Sequence, residues 1–264
     1  MSTVLAELID IGANLTDKSF TDDLDEVCER AKDVGVERIV VTGTNEVSSR
    51  QAFELAVRYP AYLAATAGVH PHHADDFTAH SLTTITDFAK QGAVAIGETG
   101  LDYFRNFSTR ANQRRVFQTQ LELASALQLP VFVHDRDSEG EVLEMLLRHA
   151  TTEVVVHCFT GDQALLDAYI AQDCYIGITG WVCDERRGKE LASIVPRIPE
   201  SKLLIETDSP YLMPRTIRPR PKTRRNEPMN LKYVRQKVAE VRAQSESHVD
   251  EITTANAKRF FRLN

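Results

Sequence analysis

Seven residues whose side chains can bind a metal ion or move a proton stand at or just beyond the ends of short apolar runs: Asn14, His70, His72, Glu98, His134, His157 and Asp208. Imidazole nitrogens combined with carboxylate oxygens are the donor set of a divalent cation. Such a cation makes water nucleophilic near neutral pH and offsets charge on the group under attack. Any one of these residues alone could simply cap the next helix or satisfy a loop amide. Four metal-binding types, Glu98, His134, His157 and Asp208, at four separate run ends are harder to explain that way. The other histidines, His73, His80, His149 and His248, fall in expected helices or loops and take no role.

The runs are Val4–Ile11, Arg38–Thr42, Tyr62–Gly68, Val94–Gly97, Val131–Val133, Val154–Val156, Tyr175–Ile178 and Leu203–Ile205. Short, apolar and rich in β-branched residues, they read as eight strands buried on both faces, which is the pattern of a parallel sheet. Stretches of helical periodicity lie between them, such as Leu24, Val27, Cys28 and Ala31, or Phe117, Leu121, Ala124 and Leu127. The expectation is an α/β fold, a (β/α)8 TIM barrel forming a single domain over residues 1–264; a doubly wound open sheet is the rival, and the strand count favours closure. In a closed barrel the carboxyl ends of all strands surround one mouth, so residues distant in sequence meet in one cavity. Amphipathic stretches around Leu231–Val241 and Val249–Phe261 should close the barrel as terminal helices.

Within Ile96-Gly97-Glu98-Thr99-Gly100-Leu101-Asp102, the glycines would let backbone approach closely while presenting Glu98 from a constrained turn. Asp102 either orients a neighbouring ligand as an acceptor or starts the next loop.

At 264 residues, the chain matches the roughly 250 that one such barrel needs. Its 42% hydrophobic and 26% charged content excludes disordered and collagen-like classes. The start, MSTVLAELIDIGANL, lacks a basic leader, and no stretch offers about 18 uninterrupted apolar residues, so a soluble cytoplasmic protein with no membrane contact is expected. Cys28, Cys158, Cys174 and Cys183 form no CxxC pair and should be free thiols. A net charge of −7 argues against a protein that coats nucleic acid with its whole surface, so a polyanion must meet a local basic patch. Arg215, Arg218, Arg220, Lys222, Arg224 and Arg225, in the Pro/Arg-rich stretch Pro214–Pro228, form one. The alternative is a solvated loop, with Arg225 and Glu227 pairing to anchor the final helices.

At these residues the sequence resembles the TatD family of metal-dependent nucleases, of the amidohydrolase-fold superfamily. The matching motifs are Gly68-Val69-His70-Pro71-His72, the Ile96–Asp102 stretch, Val133-His134-Asp135-Arg136-Asp137, His157-Cys158-Phe159-Thr160-Gly161 and Glu206-Thr207-Asp208-Ser209-Pro210-Tyr211-Leu212. Asp10–Leu15, Gly177–Gly188 and Arg224–Pro228 resemble the TatD branch itself. The resemblance implies hydrolysis of phosphodiester bonds by metal-activated water, with nucleotides removed stepwise from the 3′ end of single-stranded DNA. RNA is implied as a second substrate, and a link to DNA repair as a context.

Many members of that family carry an Asp-x-His-x-His motif on the first strand. Here Gly12 and Asn14 stand at the two histidine positions. Glycine gives no ligand, and an asparagine oxygen suits magnesium better than zinc. Magnesium is the expected ion, with zinc and manganese as alternatives. On this reading Glu98, His134 and His157 bind one ion, and Asp208 either binds a second or accepts a proton from the attacking water. His70 and His72 bind phosphate or protonate the leaving oxygen. Asn14, Arg136, Arg218, Arg220 and Lys222 are the substrate-binding candidates, and the protein is expected to work as a monomer. Two rivals stay open: an amidohydrolase of small cyclic amides or lactones, and a nucleic-acid-binding barrel without turnover.

Overall fold

Eight parallel strands follow one another around a sheet in chain order, each paired with the next. The computed structural model describes residues 7–263. The strands are β1 (Leu8–Ala13), β2 (Val36–Val41), β3 (Leu63–Ala67), β4 (Ala95–Asp102), β5 (Val131–Arg136), β6 (Val154–Val156), β7 (Tyr175–Ile178) and β8 (Leu203–Ile205). The expected first strand began at Val4; residues 4–6 lie outside the described residues, and the strand continues to Ala13.

Helices fill the outside: α1 (Leu24–Lys32), α2 (Glu46–Arg58), α3 (Ala79–Gln91), α4 (Arg110–Leu127), α5 (Glu141–His149), α6 (Gln163–Ala171), α7 (Lys189–Ile194), α8 (Leu231–Arg242) and α9 (Glu246–Phe260). Several begin where a short polar side chain satisfies an amide that the helix leaves unpaired. Asn45 with Ser48, and Thr78 with Ser81, form reciprocal capping boxes at α2 and α3. Thr109, Asp162 and Ser245 cap α4, α6 and α9. Among the described residues no helix is long and apolar enough to cross a membrane.

Alternation along each strand divides the core in two. Leu8, Ile39, Val41, Val131, Val133, Val154 and Val156 face the helix layer. Ile9, Ile11, Val40, Ala95, Phe132, Val155, Tyr175 and Leu204 fill the barrel interior near the amino ends of the strands. The end of α9 seals this floor: Phe260 packs edge-on to Tyr175 at 5.0 Å, and Phe261 lies 6.3 Å from Phe132. The opposite, carboxyl end is left for polar residues.

The circle closes between β1 and the segment after β8. Asp208 N donates to Gly12 O at 2.8 Å and Asn14 N to Ser209 O at 2.7 Å. Ala13 and Ser209 form a parallel bridge. The buried Asp10 carboxylate reinforces the seam, accepting from Thr207 N at 2.9 Å and from the Thr207 hydroxyl at 2.5 Å.

Candidate active site

The centre of the mouth is built by the shape of β4. Gly97 and Gly100 adopt φ of 146° and 142°, a region that side-chain-bearing residues rarely enter. A Cβ on either would collide with the carbonyl oxygens of Phe132 and His134 on β5. Glycine therefore lets β4 continue to Asp102 against β5, with Gly100 opposite His134 and Asp102 opposite Arg136. Glu98 and His134 consequently lie inside strands rather than after them.

Around Glu98 Oε1 stand three imidazole nitrogens: His157 Nε2 at 2.8 Å, His134 Nδ1 at 3.1 Å and His70 Nε2 at 3.3 Å. Glu98 and His157 are buried, and His134 is nearly so. Ligand atoms of His70, Glu98 and His134 all lie within 4.8 Å of one another. A cluster of lone-pair donors at this spacing fits a divalent cation.

The three imidazoles are not equivalent. His134 turns Nε2 toward Asp102 Oδ2 at 3.3 Å, and His157 turns Nδ1 toward Glu206 Oε2 at 3.3 Å. Each of these two rings lies between Glu98 in front and a second carboxylate behind, and a carboxylate behind the ring is the arrangement that commonly orients metal-binding histidines once an ion replaces the proton on the front nitrogen. His134 Nε2 is buried and off the hydrogen-bonding direction to Asp102, so its partner is set by charge. His70 differs because its Nδ1 accepts the amide hydrogen of His72 at 3.1 Å. A neutral ring then carries its proton on Nε2, which faces Glu98 as a donor and offers no lone pair. Glu98 Oε1 thus faces His134 and His157, each with a carboxylate behind its ring, while the ligand atoms that all lie within 4.8 Å of one another are those of His70, Glu98 and His134.

Charge follows the geometry. Burial opposes ionisation of Glu98, yet the His157 and His70 rings and the bonds from His134 and His157 hold its carboxyl well below the usual range. Burial likewise opposes charging His134, but the Asp102 and Glu98 carboxylates on either side of the ring push it up to about 9. His157 rises well above its ordinary value because the charges of Glu98 and Glu206 outweigh burial. Burial brings His70 down to about 4, so this ring is neutral.

Asp208 lies on the far side of the mouth. Its Oδ1 accepts from Asn14 Nδ2 at 3.0 Å across the barrel seam. Burial pushes its carboxyl up to about 8, with His157 opposing and Glu98 and Glu206 adding. Its φ of 52° is strained for a residue with a side chain.

A family model described as TatD related DNase matches residues 9–262. The chain belongs to the TatD family. It is 48% identical to the "3'-5' ssDNA/RNA exonuclease TatD" of Erwinia billingiae over 259 residues, 97% of this chain and 99% of that one. It is 47% identical to the protein of the same name from Yersinia pseudotuberculosis over 261 residues, 97% of this chain and 100% of that one. A TatD family hydrolase from Entamoeba histolytica superposes with a TM-score of 0.89 at 26% identity, covering 98% and 99% of the two chains. The TatD homolog YJJV of Escherichia coli K12 does so with 0.89 at 25%, over the same shares.

In this TatD chain, Glu206 is the site residue that motif reading missed. It is fully buried, accepts from Cys158 N at 2.5 Å and touches His157. Strand parity was the available signal: Leu204 points inward, so Glu206 two residues later does too. His72 pairs with Asp102 Oδ2 at 2.7 Å, nearer the opening. Arg136 lies over the Phe104 ring at 4.6 Å.

The basic loop divides. Arg225 binds Asp23 at 2.7 Å and Glu227 at 2.7 Å, tying the loop to α1 as a structural anchor. Arg215 pairs with Asp184 at 3.0 Å. Arg218 donates to the carbonyls of Arg215 and Ile217. Arg220, Lys222 and Arg224 are exposed, have no ion pair among the described residues, and line a cleft of about 900 Å³ with Arg186.

Proposed function

We propose that the chain is a single-domain, metal-dependent hydrolase of phosphodiester bonds, working as a 3′–5′ exonuclease on single-stranded DNA and on RNA. The observation that carries this reading is the single carboxylate oxygen of Glu98 facing two imidazoles, His134 and His157, each with its own carboxylate behind it. The names borne by relatives at nearly half identity supply the substrate class.

Glu98, His134 and His157 would hold the ion, for which magnesium is the choice, with zinc or manganese as substitutes. When bound, the ion supplies a Lewis acid that strengthens water as a nucleophile and offsets charge on the phosphoryl oxygens. Asp208 would either take a proton from the attacking water or help hold a second ion. Asn14 holds that carboxylate in place through its amide. His70, whose Nε2 faces Glu98 Oε1 at 3.3 Å, would turn that donor to a phosphoryl oxygen when the ion occupies Glu98, without adding positive charge. His72 leans on Asp102, which its two histidine partners keep ionised against burial, and its other ring nitrogen has no partner among the described residues. We assign that nitrogen the protonation of the leaving oxygen. Arg220 and Lys222 draw the phosphate backbone toward the mouth. The protein acts as a cytoplasmic monomer, with DNA repair as the setting.

An end-labelled single-stranded DNA digest, run with and without added magnesium, tests all of this together. Shortening from the 3′ end that depends on the ion is the expected result. Failure to cut with magnesium, manganese or zinc would overturn the reading.

A further inference from the structure

Three aromatic side chains stand unusually far out of the surface: Phe104 (56% exposed), Phe107 (67%) and Tyr211 (55%). All three sit on loops at the carboxyl ends of strands, the first two after β4 and the third after β8. Leaving phenyl rings in water sacrifices the free energy their burial would give. Chance exposure on a mobile loop does not account for the pair after β4, because that loop is tied down. Asp102 accepts from Arg105 N at 2.7 Å, Ser108 Oγ donates to His72 O at 3.0 Å, and Gln113 donates to the Ser108 carbonyl at 2.8 Å. The rings are held outward by a built support.

Their neighbours give the direction. Phe107 meets the His72 ring edge-on at 4.7 Å, and His72 is joined through Asp102 to His134. Phe104 has the Arg136 guanidinium at 4.6 Å and that of Arg105 at 5.7 Å. Tyr211 is bonded through its backbone to Asp208 at 2.9 Å, on the other flank of the mouth. Flat apolar faces beside cationic groups are what single-stranded nucleic acid binds, the rings stacking with bases of any sequence while the cations track phosphates.

We propose that Phe107 stacks on the 3′-terminal base of the strand being cut, with Phe104 and Arg136 taking the next nucleotide and Tyr211 bounding the mouth opposite. This rests on the exonuclease reading and deepens it by giving the basis for preferring unpaired ends. A base must leave its partner and its stack to lie on Phe107, which a duplex end resists.

The experiment pairs a change in the protein with a change in the substrate. Release of the terminal nucleotide is measured for an oligonucleotide ending in thymidine and for one ending in an abasic residue, using the parent protein, Phe107→Leu and Phe104→Leu/Phe107→Leu. Leucine keeps the apolar bulk and removes the ring face. The parent should process the abasic end roughly tenfold less efficiently, the order expected for one stacked base. Phe107→Leu should lose a similar factor on the normal end and no longer distinguish the two ends, since both changes remove one contact. Equal further loss on the abasic end, or an unchanged KM for Phe107→Leu, would overturn the proposal. A 2-aminopurine at the 3′ end reads stacking without turnover: quenching by the parent that is lost in Phe107→Leu supports it, and equal quenching overturns it. A parent protein that quenches but releases nothing would overturn the exonuclease reading alone.

Discussion

The Glu206 carboxylate fills the space beside Gly12 that a side chain on the first strand would need. A Cβ at Gly12 would overlap Glu206 Oε2 and come within 3.0 Å of the Phe132 ring. Gly12→Ala should therefore destabilise the protein by about 1–3 kcal/mol, the usual cost of overpacking a tight core. Placing the same change in a Glu206→Asp background, where the carboxylate retracts, should cost less. Thermal melts of the two single variants and the pair measure the coupling. Additive losses would show that the two positions do not compete for space.

Glu98→Gln should leave the circular dichroism spectrum unchanged and lower cleavage by about a hundredfold or more, as loss of a preorganised charge at a reaction centre does. The parent, titrated without DNA, should take up one ion tightly through Glu98, His134 and His157. Activity should keep rising to magnesium on the order of millimolar, because Asp208 and Asn14 offer only oxygen donors to a second ion. Two equally tight ions in the free protein would contradict this, as would a Glu98→Gln protein that binds metal and cuts normally.

Neutralising Arg220 and Lys222 to Gln should raise the KM for single-stranded DNA and flatten its dependence on salt by about 0.7 for each phosphate contact removed. Arg225→Gln should act differently. Its guanidinium bridges Asp23 and Glu227, so melting temperature should fall while the salt slope stays. The slope of log KM against log salt separates the two roles.

The Asp23 carboxyl is held down at about 2 from 3.8, first by its bond from Arg225 and also by Arg30, against the cost of burial. A depressed acid contributes stability that is fully present above pH 3.8 and is lost as pH falls through about 2. With the side chain one-third exposed, that contribution is on the order of 1 kcal/mol. Asp23→Asn should therefore lie below the parent in stability above pH 4, and the two acid-unfolding curves should converge toward pH 2. Parallel curves throughout would rule out the pairing as the source.

Most strands were legible because they are buried on both faces, so that runs such as Val131–Val133 and Leu203–Ile205 carry no polar interruption to blur them, whereas β2 exposes Glu37. Their carboxyl ends were less so. β4 and β5 go on through Glu98, Asp102 and His134: the pairing breaks register between Ile96 and Thr99, where Glu98 lies, and resumes from Thr99 to Asp102, with Gly100 close against His134. Convergence of His70, His72, Glu98, His134 and His157 followed from closure alone. Of the carboxylates behind the rings, the sequence offers Asp102 as an orienting acceptor without naming its histidine and does not single out Glu206, because which acid stands behind which histidine depends on parity across different strands. In the basic loop, sequence shows the charges but not their partners, and Arg225 is paired where Arg220 and Lys222 are not.

The seam between β1 and β8 bears on how the protein fails. Asp10 and Thr207, 197 residues apart, hold it together with the Asp208–Gly12 and Asn14–Ser209 backbone bonds, and the side chains of Asn14 and Asp208 sit on its two lips. The remaining strands have ladder partners that do not depend on it. Local opening in folded proteins starts where such bonds are fewest. A barrel parted at this line keeps most of its helices and sheet yet separates Asn14 from Asp208. In mild denaturant, inactivation should therefore run ahead of any loss of secondary structure, which makes the seam, more than the bulk of the core, the determinant of working lifetime.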